Sequence, residues 1–219
     1  MKERPILFTS AEVRATLDGG KNQLRRIVKV QPPATGYVLA TCMPTTSDRR
    51  DKGRHRWIKT DGHTAVDDSQ PYFASPCGYE GDRLWVRETF QPLYADDVEY
   101  PHANWKTGAG YAISYLATDG IQEFVDSDYN INDRCKPSVH MPRWASRILL
   151  EIIAIRVERL QKISNEDAVA EGIGVPLDMR YAAYDGFRPM WKDIHGAGSW
   201  MANPWVWVVE FKRITSEVN

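Results

Sequence analysis

The residue with the most chemistry to offer in this sequence is Glu88, because of what its neighbours do to it. In Gly81-Asp82-Arg83-Leu84-Trp85-Val86-Arg87-Glu88-Thr89-Phe90 a turn signal runs into a strand whose two-residue period sets Leu84, Val86, Glu88 and Phe90 on one face. That face is apolar, so the carboxylate is expected to point inward, where it must find a partner or stay protonated. Two readings stand: a core acid satisfied by an arginine or by backbone amides, and a perturbed acid of a functional site.

Two further segments carry reactive types. Gly20-Lys21-Asn22-Gln23-Leu24-Arg25-Arg26 places three cations just after a helix. They suit a solvated turn, or a Lys21 that leaves the glycine turn to meet a buried acid. Ser138-Val139-His140-Met141-Pro142-Arg143-Trp144-Ala145-Ser146-Arg147 gathers a proton carrier, a forked anion donor, a stacking face and a hydroxyl in one short reach. The same loop also suits a buried Trp144 that tethers exposed cations.

The elements that must hold these residues are readable in outline. Ser10 is a suitable cap for a helix over residues 11–18, which Gly19-Gly20 stops. Ile27 to Val30 and Tyr37 to Ala40 are short and β-branched enough to be strands. Ile148 to Leu160 predicts a long strand that becomes alternating at its end, and Trp205 to Phe211 sets Trp205, Trp207, Val209 and Phe211 on one face against Val206 and Val208. Ser164 to Asp167 reads as a capping box for a helix ending at Gly172, and Phe187 to Ile194 repeats at helical spacing. Polar insertions are expected at about 44–79 and 95–136. The first opens on the charged run 48–54, a solvated loop or a mobile basic arm with Trp57 nearby. The second is broken by an apolar strand from Tyr111 to Leu116.

Composition narrows the classes. The 219 residues carry a net charge of −1, so any nucleic-acid contact must be local and not driven by an overall field. Three scattered cysteines without a CxxC pair predict reduced thiols, and five scattered histidines signal no metal site; no cofactor is expected. No stretch is long and apolar enough to span a membrane, and Met1-Lys2-Glu3-Arg4-Pro5 lacks the apolar run of a signal peptide, so a cytoplasmic location is expected. Eight tryptophans predict aromatic packing, with one or two left beside a pocket to stack on a base.

Taken in order, the three segments resemble the ASCH-domain family of the PUA-like superfamily, and most of all the small ASCH-like proteins of bacteriophages and prophages. In that group a helix is followed by a Gly-x-Lys-Thr-Gln-Thr-Arg-Arg turn, then by Gly-Asp-x-Leu-Trp-Val-Arg-Glu, His-Met-Pro-Arg-Trp-Ala-Ser-Arg and a terminal Asn-Pro-Trp-Val-Trp strand. The corresponding stretches here are Gly20 to Arg26, Gly81 to Glu88, His140 to Arg147 and Asn203 to Trp207.

The resemblance implies a single α+β domain, a PUA-like and partly open β-barrel flanked by helices. Its cleft would take RNA or a modified nucleoside, bound by Gln23, Arg25, Arg26, Trp85, Arg87, His140, Arg143 and Trp144. Some ASCH proteins are amidohydrolases that deacetylate N4-acetylcytidine with a lysine, a threonine nucleophile three residues later and a barrel-strand glutamate. Lys21 and Glu88 match two of those roles, but the nucleophile position is Leu24, and an aliphatic side chain cannot attack. Ser146 as a substitute hydroxyl, a water activated by Lys21 and Glu88, or binding without reaction are the ways forward. A ribonuclease and a phage accessory protein that binds a host protein are the alternatives.

Overall fold

The computed structural model describes residues 1–41, 54–94, 111–125, 131–132, 134–174 and 182–214, and it is an α+β structure with three α-helices among them. In chain order the elements of the first half are β1 (Glu3–Leu7), α1 (Ser10–Leu17), β2 (Gln23–Ile27), β3 (Tyr37–Thr41), β4 (His55–Thr60), β5 (Ala65–Asp67), β6 (Arg83–Arg87) and β7 (Phe90–Tyr94). There follow β8 (Tyr111–Tyr115), β9 (Phe124–Val125), β10 (Ile131–Asn132), β11 (Leu149–Arg159), α2 (Asn165–Ala170), α3 (Ala182–His195) and β12 (Trp205–Ile214).

The principal sheet has the order β1-β6-β11-β12-β2. β1 runs parallel to β6 and every other pairing is antiparallel. Its frame is the β11–β12 pair, whose register shifts between Ile152 and Ala154. A bulge of this kind bends a strand and strengthens its twist. The two border strands then approach each other without joining. Among the described residues no backbone ladder links β1 to β2; instead Arg26 of β2 donates from Nη2 to the Leu7 carbonyl of β1 at 3.1 Å.

The alternation of β12 separates two apolar layers. Val209 and Phe211 face a core with Phe8, Val13, Leu24, Leu84, Leu150 and others, roofed by α1. Val206 and Val208 face the opposite way, under Phe187 and Trp191 of α3 and Ala168 of α2. Each fully buried aliphatic side chain of this kind contributes roughly 1.5–3 kcal/mol by leaving water. The β12 entry is a turn at Asn203, the one non-glycine residue of positive φ (42°) among those described. Its carbonyl accepts from Arg159 and its Oδ1 from the Gln161 amide, so the short polar side chain offsets the left-handed backbone locally.

Several expected boundaries moved. The cap of α1 is Thr9, not Ser10: its hydroxyl accepts from the Glu12 amide at 3.3 Å while Glu12 Oε2 accepts from the Thr9 amide at 2.8 Å. β2 begins at Gln23 and ends at Ile27, earlier than the apolar run suggested, because Gln23 and Arg25 face a buried charged layer that hydrophobicity cannot reveal. The expected insertion 44–79 holds β4, which pairs with β3, and β5, which pairs with β4. Trp57 at its centre is fully buried, donates to the Val30 carbonyl at 2.6 Å and packs on Trp205 at 5.1 Å, so it is a tether. The charged run 48–53 lies outside the described residues. β8 matches the strand expected near Tyr111 and pairs with β7.

Candidate functional site

Lys21 and Glu88 are both buried, at 3% and 2% exposure, and Lys21 pairs with a buried acid and Glu88 with an arginine, but they do not pair with each other. Lys21 Nζ meets Glu171 Oε2 at 3.0 Å, the Glu171 carbonyl at 2.9 Å and Glu12 Oε1 at 3.8 Å, and lies 5.7 Å from the Phe8 ring centre. Glu88 takes both arms of the Arg147 fork, Nε to Oε1 at 2.9 Å and Nη2 to Oε2 at 3.0 Å. Arg147 in turn lies 3.9 Å from the Tyr115 ring centre. No ion pair joins Lys21 to Glu88 among the described residues. β6 ends at Arg87, so Glu88 sits just beyond the strand and turns toward the loop that carries Arg147.

Lys21 belongs to a buried ionic layer between α2 and the sheet. Arg25, 2% exposed, donates from Nη1 to Glu171 and Gln23 and from Nη2 to Glu158 and Asp167, all within 3.0 Å. Arg156 adds a bond to Asp167 at 2.9 Å and contacts Glu210. Gln23 gives its amide to Asp167 at 3.0 Å. The capping box of α2, Ser164 with Asp167, fixes where these acids stand. Gly172 (φ +91°) closes the helix, and a Cβ there would come within 2.9 Å of Ala15 and 3.1 Å of Lys21, so the close approach of α2 to α1 requires glycine. Arg25 and Gln23 are therefore committed to the protein's own carboxylates.

Burial alone would raise the Asp167 carboxyl, but the Gln23 amide and the Arg25 and Arg156 guanidiniums outweigh it and hold it below the ordinary range. A depressed folded-state value stabilises only while the unfolded carboxyl is ionised. The unfolding free energy is therefore expected to decline as pH falls below about 4 and to keep declining through the folded value. Urea melts taken down through that range check it, and a flat profile would mean that the folded chain does not hold the Asp167 carboxyl below its ordinary range.

Other expected residues gather on the outer face of β6. The Arg87 and Arg143 guanidiniums lie 4.6 and 6.0 Å from the Trp85 ring centre, and Trp85 is only 8% exposed beneath them. Arg87 donates to the Val139 carbonyl at 3.2 Å and Arg143 to Glu3 at 2.8 Å. His140 is exposed nearby in sequence. Trp144 packs against a small cluster of Phe90, Met141 and Ala145. Ser146 gives its hydroxyl to the Val86 carbonyl at 2.7 Å.

Two cavities flank the Arg26 bridge between β1 and β2. The first, about 450 Å³, has Pro5, Ile6, Phe73, Cys77 and Trp207 as its apolar walls and Arg26 and Lys29 as its cations. Phe73 and Trp207 pack edge to face at 6.0 Å, and a backbone bridge pins Phe73 to His55. The second, about 420 Å³, is more polar, with Glu12, Arg26, Thr89, Ser138 and His195 beside Leu7, Phe8 and Ile194. His195 rests on the Trp191 ring at 4.0 Å; burial, reinforced by Arg26, lowers its pKa, and Glu12 opposes the shift.

Arg26 is thus the expected binding residue that lines both cavities. Glu12, His195, Phe73 and Lys29 were not anticipated: Glu12 reads as a cap and His195 as a helix end, and only the folded chain brings them to one seam. No helix is long and apolar enough to cross a membrane among the described residues. Comparison with family models, with curated proteins and with solved structures finds no match to this chain.

Proposed function

We propose that the chain is an ASCH-like protein of PUA-like architecture that binds RNA or a modified nucleoside in the seam between β1 and β2. The supporting observation is the first cavity: nucleoside-sized, walled by Phe73 and Trp207, and closed by the Arg26 guanidinium and Lys29. An aromatic wall takes the π-face of a base, and a guanidinium takes phosphate as a fork. Arg87, Trp85 and Arg143 add a cationic rim for the strand's backbone. Val139, whose carbonyl Arg87 holds, adjoins Ser138 of the second cavity.

A hydrolytic reading through Lys21 and Glu88 has less support. Both groups are enclosed and spoken for by Glu171 and Arg147, and Leu24 is fully buried in the core. Incubation with N4-acetylcytidine is expected to give no turnover.

The direct test is fluorescence anisotropy with short RNAs over a salt series. Arg26→Ala is expected to weaken binding about tenfold or more and to lower the salt slope by about one. Arg143→Ala, at the rim, is expected to weaken it by a smaller and salt-dependent factor. Affinity unchanged by Arg26→Ala for every RNA that binds would sink the assignment of the seam.

A further inference from the structure

We propose that the second cavity is a ribose subsite in which Glu12 accepts a hydrogen bond from the 2′-hydroxyl, so that the seam selects ribonucleotides over deoxyribonucleotides. The inference rests on the nucleic-acid reading above. Arg26 is the wall that the two cavities share. A phosphate on that guanidinium places the groups attached to it on either side. The first cavity is apolar and aromatic and suits a base; the second differs in kind.

Its distinguishing group is a carboxylate beside an arginine. Glu12 repels a second phosphate and calls for a neutral donor, because an ionised carboxylate only accepts. Its Oε2 is occupied by the Thr9 amide at 2.8 Å and the Thr9 hydroxyl at 3.1 Å. Its Oε1 stands 3.8 Å from Lys21, beyond hydrogen-bond reach, and keeps its acceptor sites for an occupant. Thr89, Ser138 and His195 complete a lining of hydroxyls and imidazole, which matches a sugar's hydroxyls better than a base. Leu7 and Phe8 supply the apolar patch on which the sugar carbons would rest. A neutral hydroxyl donor adjoining a phosphate is what a ribose 2′-OH supplies and a deoxyribose lacks.

The test measures the affinity of the full chain for one short sequence made four ways: ribo, 2′-deoxy, 2′-fluoro and 2′-O-methyl. A hydrogen bond to a charged acceptor predicts a ribo preference over deoxy on the order of 10-fold or more. The 2′-fluoro and 2′-O-methyl forms cannot donate and are expected to bind no better than deoxy. Glu12→Gln keeps the cap's geometry, since either residue completes a capping box, but the cap takes its amide oxygen and leaves a neutral NH2 that cannot accept from the 2′-hydroxyl, so the ribo-to-deoxy ratio is expected to fall severalfold. The modified oligonucleotides test the wild-type chain even where that variant does not fold. Equal binding of ribo and deoxy forms overturns the ribose subsite and leaves nucleic-acid binding standing. So does a 2′-fluoro form as tight as ribo, or a ratio that survives Glu12→Gln. Failure of all four to bind overturns both.

Discussion

Glu171→Ala is expected to cost about 3–5 kcal/mol of folding stability, the usual penalty for stranding a buried charge. Glu171 is 4% exposed and gives one carboxylate oxygen to Lys21 and the other to Arg25, each at 3.0 Å. Removing it leaves Lys21, whose side chain is wholly enclosed, with one backbone carbonyl and a glutamate at 3.8 Å. Arg25 keeps Glu158 and Asp167, so most of the loss falls on the lysine. Pairing the change with Lys21→Met should recover much of it, because methionine, close to lysine in volume, removes the stranded charge, while the void left by alanine keeps the recovery partial. Chemical denaturation of the wild type and these two variants decides. A loss below about 1 kcal/mol for the single variant would mean that water reaches the lysine as it does in surface pairs.

The second large effect is expected at Leu24. Under the proposed ASCH-like reading its position is the one where some members of that family carry a threonine nucleophile, so Leu24→Thr restores the missing hydroxyl on paper. In the fold Leu24 is 0% exposed and packs in the core that Phe8, Val13 and Val209 help to form. It faces away from Gln23 and Arg25 by the alternation of β2. Threonine there loses methylene packing and buries a hydroxyl, which together cost about 2–4 kcal/mol. The variant is expected to melt lower and to gain no amidase activity. Turnover of N4-acetylcytidine by Leu24→Thr would show that substrate reaches this position, and the binding-only reading would have to be given up.

Much of the frame is legible in the sequence alone. The β11 and β12 strands announced themselves by length and by alternation that changes where the sheet passes from core to edge. The α2 capping box was readable because Ser164 and Asp167 act within one turn. The burial of Glu88 follows from its apolar neighbours, and an arginine is one of the partners that such an acid calls for. Which arginine could not be read, since Arg147 lies 59 residues away and reaches it only through the loop before β11. Lys21 meets a buried acid, as its place after the glycine turn suggests, but that acid is Glu171, 150 residues distant, and could not be named for the same reason. Local rules set which residue is buried, while long-range topology decides what it meets. Strand β4 was hidden because His55, Arg56 and Lys59 give its window a polar character that masks the one buried residue, Trp57.

The open seam has a bearing on how copies of the chain treat one another. A sheet that stops short of closure leaves two borders of unpaired amides and carbonyls, and such borders are templates for adding a strand from another molecule. Here the borders, β1 and β2, confront each other across Arg26 instead of facing outward. Pro5 in β1 also lacks the amide that an incoming strand would need. The seam thereby keeps the borders of the principal sheet from serving as such templates, and the guard lasts only as long as the two borders stay face to face.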